Sequence, residues 1–579
     1  MAQQETGHEV VERLDKTYEF DREPVTQDRL EPGRHFAGNF AGEHVAATEF
    51  VIGALFVSWG AGIADIIFGL LVGNLLAVLS WTFICAPIAV ETRLTLYWYL
   101  RKIAGPFVTI IYNILNAALY CILAGAMITV AASAVRIPFG IPPQTGWIPT
   151  DIRFIFVVIG VGAVVVTLAI LGFKRLAQFA SVASPWLFIM FLAGAFAILP
   201  GLASSLPAIG EIHSWSDFWR LAGQTVWTGE SITGAAPIGF WHVAAFAWIT
   251  NLAMHIGLSD MALLRYAKKY TDGFYSAFGM FLGHYLAWIA AGIMGAGVAT
   301  ALNTPLIELD AGGVANYALG ISGALAVVIA GWTTSNPTLY RAGLAFQAVS
   351  PGWPRWVVTL IAGAITTLIA CSPFVFTKLL DFVGIYGLLL MPIGTVVFVE
   401  HWLFPKIGFT RYWTSKQGRL MNWPALASWA IAIGVAVLLW QTGTLHLFFL
   451  LLPTWTITAV LYVVFAGIAG AKAGQPDENM GTEQSDRRSG ASTPGNSEQT
   501  EDITSTVQAI PTWVNVIGVI ALIALALCFV LPLRIFLMGS EGYAARAEGL
   551  KTVLAWMTLI YFAAGTAWAY LKEKYTGEF

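Results

Sequence analysis

Apolar stretches of about 20 residues, the length that crosses the hydrocarbon of a bilayer as a helix, recur along most of the chain between short polar loops. They predict about fourteen spans. The first five fall near 40–60, 63–90, 106–134, 153–172 and 182–202, and a longer, polar, Trp-rich segment follows at about 203–236. Spans 6 to 10 fall near 238–262, 273–300, 319–342, 355–373 and 380–402, and spans 11 and 12 near 424–441 and 446–470. Residues 474–508, rich in Gly, Ser, Asn, Asp and Glu, have too little apolar surface to bury and read as a disordered linker. A last pair near 511–536 and 550–571 closes the chain. The expected organisation is a tail at 1–38, spans 1–5 within 39–202, spans 6–10 within 203–402, spans 11–12 within 403–472, the linker at 473–509, and an extra span pair within 510–579.

Charge orients these spans. Arg93, Arg101 and Lys102 follow span 2, Lys174 and Arg175 span 4, Arg265, Lys268 and Lys269 span 6, Arg341 and Arg355 span 8, and Lys406, Arg411, Lys416 and Arg419 span 10. The odd loops carry Asp151, Glu211, Asp217, Glu308 and Asp310 instead. The positive-inside rule therefore places both termini and the linker in the cytoplasm of a multi-pass protein of the cell (inner) membrane. The composition agrees: 57% of the 579 residues are hydrophobic and 11% charged, against roughly a quarter charged in soluble domains. Met1 to Phe36 has no apolar core or cleavage site and reads as a cytosolic tail rather than a secretory signal. With a net charge of -3 and no basic stripe, nothing points to a nucleic-acid partner. Cys85, Cys121, Cys371 and Cys528 lie in apolar segments without paired spacing, so metal and disulfide readings are both weak.

The spans also repeat. GLLVGNLLA from Gly69 to Ala77 matches GMFLGHYLA from Gly279 to Ala287 at an offset of 210 residues, with Gly, Gly, Leu and Ala identical. Small-xxx-small glycines are common at helix crossings, so packing alone is one reading. Five spans separate the copies, however, and an odd number turns the second upside down. An inverted repeat of this kind places its solute and ion sites near the midplane, where the first helix of each half is broken.

The polar residues fit that geometry. Span 1 holds Glu43, His44 and Glu49, and its counterpart, span 6, holds Asn251, His255, Gly257, Ser259 and Asp260. A carboxylate near mid-membrane costs about 2.5–3.5 kcal/mol, which argues for a wet cavity unless these are end residues at the interface. In span 3, Tyr112, Asn113, Asn116 and Tyr120 share a face, suited to a flat hydrogen-bonding ligand or to interhelical packing. In span 8, Ala330, Thr333 and Thr334 stand at i, i+3 and i+4, with Ser335, Asn336 and Pro337 next. Two hydroxyls beside a carbonyl make the all-oxygen shell of a hard cation, although Ser and Thr also bond back to their own helix in membrane spans.

Taken together, WTTSNPTLYRAG in span 8, LSDMALLRYAKKY leaving span 6, VGNLLAVLSWTFICAPIAVETRLTLYWYLRKIAG through span 2 and LLDFVGIYGLLLMPIGTVVFVEHWL in span 10 resemble the nucleobase:cation symporter-1 family, the purine-cytosine permease and hydantoin transporter group, over roughly residues 40–470. The resemblance implies an all-α core of two inverted five-helix repeats, the leucine-transporter-like fold, plus two helices, with the C-terminal pair as an addition. It implies cation-coupled alternating access, no organic cofactor, and Na+ as coupling ion with H+ as the alternative. By the same resemblance, Ala46 or Ala47 with Ala330, Thr333 and Thr334 would hold the ion, and Tyr120 and Trp248 would sandwich the solute. Asn116, Asn251, Ser335 and Asn336 would read its edge, and Thr48, Glu49 and His255 are further candidates for the solute site. This chain departs from the family pattern in Tyr120, in Glu43, His44 and Glu49 on the first helix, and in the extra pair.

The expectation is symport of a nucleobase or related small planar nitrogenous solute, with the lipid bilayer as the other partner. Glu49, Glu43 and Asp260 are candidate proton carriers. An amino-acid or amine symporter with Glu49 as counter-ion, and a membrane sensor or partner-docking protein built around the C-terminal pair, are the alternatives. No nucleophile constellation, zinc motif or phosphate loop suggests an enzyme.

Overall fold

The computed structural model describes residues 22–144, 146–170, 173–350, 352–373, 378–472 and 510–576. The predicted linker at 473–509 and the tail before residue 22 lie outside them. Among the described residues the elements are helices. Ten are long and apolar enough to cross a membrane, and the pair Gly33–His44 and Thr48–Ser58, bent by 56°, makes one broken span more. The other three expected spans are helical in the expected places but miss that test for visible reasons. Span 6 is split into Phe240–Ile249, Leu252–His255 and Met261–Leu264, span 9 is the shorter Arg355–Ala370, and span 8, Ile321–Val349, carries the polar run from Thr333 to Thr338.

Two boundaries differ from expectation in ways that matter. Span 3 begins at Leu96 and kinks at Gly105 (φ 74) before Pro106, so the apolar pattern marks only the segment after the kink. Span 8 runs on to Val349, because the polar run is followed by strong helix formers, Leu339, Ala342, Leu344 and Ala345. Arg341, expected in a loop, is therefore inside a helix and buried. Arg265, also expected in a loop, is buried and donates to the Ala262 carbonyl.

The two halves interlock reciprocally. Span 2 (Asp65–Thr92) packs on the first part of span 6, and span 7 (Tyr270–Leu302) packs on span 1. A methyl group on Gly69 would lie 3.0 Å from the Phe240 carbonyl oxygen, and one on its repeat partner Gly279 would lie 2.7 Å from that of Phe40. Gly73 lies against the Ala244 carbonyl in the same way, and Gly283 against that of His44. Where the two second helices meet, Asn74 Nδ2 donates to the His284 carbonyl at 3.1 Å, a pair 210 residues apart. The glycines that define the repeat are thus where each half's second helix touches the other half's broken helix. Gly283→Val should cost about 1–3 kcal/mol by overpacking against backbone, read as a lower melting temperature in detergent; an unchanged melting temperature would contradict this packing.

Span 8 lies along span 3 through the middle of the molecule. The C-terminal helices Thr512–Phe536 and Gly539–Thr576 pack on each other and on spans 5 and 8. Trp186 Nε1 donates to Thr558 at 3.3 Å, Thr558 donates to Ser322 at 3.1 Å, and Tyr561 donates to the Val182 carbonyl at 2.6 Å. One face of the extra pair is therefore taken up by the core itself.

Candidate functional site

The breaks in spans 1 and 6 face one central cavity, with about 50 Å3 open to the centres of water-sized molecules. Span 1 turns between His44 and Thr48, where Val45 leaves helical geometry (φ -90, ψ 67). Span 6 turns at Asn251 (φ -113, ψ 30), and again where Leu258 takes φ 66. The polar wall comes from Glu43, His44, Thr48 and Glu49 of span 1, Thr250 and Asn251 of span 6, His284 of span 7, and Thr334 and Thr338 of span 8. Ala46, Ile52, Leu123, Met127, Met254, Val383 and Tyr386 complete the lining with apolar or aromatic side chains.

Glu49 is the central acidic side chain of this wall. Its carboxylate accepts hydrogen bonds from Trp288 Nε1 and, at 3.4 Å, from Thr48, and lies 3.7 Å from His284 Nε2. Among the described residues it has no Lys or Arg ion-pair partner. Three nearby groups that line the cavity also lack a hydrogen-bond partner, His44 Nε2, His284 Nδ1 and Asn251 Nδ2, and all three residues are more than nine-tenths buried. Buried polar atoms are normally paired, so these are groups a polar solute would satisfy.

Oxygens converge next to this wall. Thr334 Oγ1 lies 3.0 Å from both the Ala330 and Glu43 carbonyl oxygens, and Thr333 Oγ1 lies 3.1 Å from that of Ala330. The span 1 carbonyl that reaches span 8 is thus Glu43's, one turn before the expected Ala46 or Ala47. Helical hydrogen bonding lapses only after His44, which brings the last turn before the break against span 8. Ala46 still lines the cavity.

Below the cavity, towards the end carrying the basic loops, lies a buried ionic triad. Arg341 of span 8 forks onto Glu43, Nη1 to Oε1 at 2.5 Å and Nη2 to Oε2 at 3.0 Å. It also meets Asp260 Oδ1 through Nε at 3.0 Å and Nη2 at 2.5 Å, while Trp81 Nε1 donates to Asp260 Oδ2 at 2.6 Å. Arg341, Glu43 and Asp260 are 2%, 5% and 0% exposed. One guanidinium therefore ties both broken spans to span 8. A second cavity, lined by Asn39, Glu43, Ala180, Ala262, Leu263, Thr333, Pro337, Tyr340 and Arg341, lies beside the triad.

Of the solute-site residues expected from sequence, Thr48, Glu49 and Asn251 line the cavity, and the others do not. Tyr120 bonds Ser259 at 2.5 Å and meets the cavity residue Tyr386 ring to ring at 5.8 Å. Asn116 is fully buried outside the lining. Trp248 donates to Ser80 of span 2 at 3.0 Å and lies outside the cavity lining. His255 bonds the Trp248 carbonyl at 3.0 Å and packs on Trp81. Ser335 and Asn336 bond back to Gly331 and Trp332 on their own helix, at 2.7 and 2.9 Å. Tyr386, His284 and Arg341 were not singled out from sequence. Arg341 stands at i+7 from Thr334 and shares its face, but the positive-inside pattern assigned it to a loop.

No family model matches the chain, and no curated protein matches it. Among solved structures, a nucleobase-cation-symport-1 family transporter, in a closed conformation with bromovinylhydantoin bound, superposes with a TM-score of 0.58 at 16% identity, over 78% of this chain and 96% of its own. A Na+-coupled sialic acid symporter, in a substrate-bound outward-open state described as revealing a novel Na+-site, gives 0.54 at 14% identity, over 80% of this chain and 96% of its own. At these identities the likeness is one of fold. This chain has the all-helical, leucine-transporter-like architecture of two inverted five-helix repeats.

Proposed function

We propose that this protein is a secondary active transporter of the cell membrane. It moves a small nitrogenous solute by alternating access coupled to a cation, with the basic loops on the cytoplasmic side. The observation that carries this reading is the meeting of two oppositely directed broken helices at one buried polar cavity, with span 8 oxygens beside it. Sodium at the Ala330 and Glu43 carbonyls and the Thr333 and Thr334 hydroxyls would tie span 8 to span 1 and order the cavity for solute. One charge moving down 100 mV supplies about 2.3 kcal/mol, roughly a fifty-fold solute gradient.

The solute presents N–H donors to Glu49 and acceptors to Asn251. Nucleobases and hydantoins fit, and the motifs of spans 2, 6, 8 and 10, with the bound hydantoin of the structural neighbour, favour them. A cationic amine is the second reading, favoured by Glu49 having no Arg or Lys partner among the described residues. Nothing in the cavity resembles a nucleophilic or metal-assisted reaction centre, so transport rather than catalysis is proposed.

Thermal-shift screening of the purified protein against bases, hydantoins, amines and amino acids, each with and without sodium, tests the proposal. A ligand at a hundred times its Kd adds about 2.7 kcal/mol. A nitrogenous solute should raise the melting temperature, and more so with sodium. Stabilisation confined to solutes without N–H donors would contradict the assignment.

A further inference from the structure

We infer that a groove between spans 3, 4 and 8 holds one phospholipid with a zwitterionic, primary-ammonium headgroup, its acyl chain lying on Trp332 and its headgroup on the pair Arg153 and Asp151. The inference is independent of what the central cavity carries. The groove offers about 610 Å3 to the centres of water-sized molecules, against about 50 Å3 in the central cavity. One side is a stripe of span 4 (Arg153–Ile170) at i, i+3, i+4, i+7, i+8 and i+11, running from Arg153 through Phe156 and Gly160 to Val164. The other side is Val135 at the end of span 3, Ile141 in the loop after it, and Trp332 of span 8.

The length of the groove identifies its occupant. The helix rises about 16 Å between Arg153 and Val164, close to half of a hydrocarbon layer of about 30 Å. The groove therefore runs from the membrane surface to the midplane, the reach of one acyl chain in one leaflet. Trp147 and Ile148, 67% and 79% exposed in the loop before span 4, mark the surface end, since Trp gathers where bilayer meets water. Trp332 marks the deep end, one residue before Thr333 on span 8. Gly160 makes the room between them. A methyl group built on it meets nothing within 4 Å, and a glycine inside a helix costs stability, so its missing side chain leaves open space that a lipid chain fills. The surface end lies away from the basic loops, and the lipid belongs to the leaflet on that side.

The charges at the mouth select the headgroup. Arg153 is the sole charged residue of the lining among the described residues. Its Nη2 donates to Asp151 Oδ2 at 2.6 Å, its Nε to Asp151 Oδ1 at 3.1 Å and its Nη1 to the Phe139 carbonyl at 3.3 Å. The Arg153 side chain is still 57% exposed. The pair is neutral overall, so it holds no surplus attraction for an anionic lipid. A headgroup with phosphate and ammonium side by side complements it, phosphate on Arg153 and ammonium on Asp151. An ionised carboxylate only accepts hydrogen bonds. A primary ammonium donates them and a trimethylated one does not, which favours the ethanolamine headgroup over choline.

The test titrates the delipidated full chain in detergent with phosphatidylethanolamine, phosphatidylcholine and phosphatidylglycerol of identical acyl chains, and counts bound lipid by native mass spectrometry. One phosphatidylethanolamine per protein should be retained in preference to the other two by about threefold, the scale of a single exposed charge contact. Gly160→Phe, which fills the groove, should weaken that binding by about tenfold, the worth of roughly ten lost carbon–carbon contacts. Asp151→Asn, which leaves the charge of Arg153 uncompensated, should turn the preference towards phosphatidylglycerol. Equal binding of the three lipids by the parent overturns the inference, as does a Gly160→Phe variant that binds like the parent or an Asp151→Asn variant that keeps the parent's preference. A parent that is dimeric without lipid, and monomeric once Gly160→Phe is introduced, would give the groove to a second copy of the chain and overturn it as well. Should Gly160→Phe fail to fold, Val164→Trp, at a position 40% exposed, plugs the same groove: weakened binding supports the inference and unchanged binding overturns it.

Discussion

Arg341→Met is expected to lower stability by about 3–5 kcal/mol, the cost of leaving buried charge without its partner. Glu43 and Asp260 would then sit at the broken ends of spans 1 and 6 with Trp81 as the one remaining donor among the described residues. Adding Glu43→Gln and Asp260→Asn to the same variant should recover most of the loss, because a neutral cluster of similar volume requires no counter-charge. Thermal denaturation of the three proteins in detergent measures this. A single variant as stable as the parent would mean that Arg341 does not bear on the carboxylates.

Glu49→Gln should weaken solute binding by about tenfold to a hundredfold, with a smaller effect on folding. A hydrogen bond to a charged group is worth about 1.5–3 kcal/mol. The glutamine keeps the shape that meets Trp288 and Thr48 but loses the charge. Binding measured by thermal shift with the solute found in the screen decides it. If affinity is unchanged, the N–H edge of the solute lies elsewhere in the cavity. If binding vanishes for a solute carrying a positive charge and persists for neutral ones, the amine reading is selected.

Much of this architecture is legible in the chain because a bilayer imposes a coarse rule, about 20 apolar residues per crossing, that a one-dimensional pattern can express. The repeat is legible for a finer reason. Gly69, Gly73, Gly279 and Gly283 cannot carry a side chain where helices from opposite halves touch. Glu49, Thr48, Asn251 and Thr334 are legible in the cavity because polar residues next to a helix break have few other uses in a membrane.

The departures from expectation have distinct physical sources. Hydropathy reads Arg341 as the end of a span, when its charge is neutralised by Glu43 and Asp260, 298 and 81 residues away. No local pattern contains that pairing. Ser335 and Asn336 illustrate the opposite case, polar residues whose needs are met within one turn of their own helix. Trp248 departs for a third reason. Span 6 breaks just after it, and the indole turns towards Ser80 of span 2 instead of the cavity.

The central claim, that spans 1 and 8 hold the coupling ion between them beside the solute, is tested most directly by sodium alone. Melting temperature is followed as sodium replaces choline at constant ionic strength, in the parent and in a Thr333→Ala, Thr334→Ala double variant. The account predicts a saturable rise for the parent, about 1–3 kcal/mol at sodium well above its Kd, and a flat response for the variant. A flat response in the parent, or an equal rise in both proteins, would contradict it.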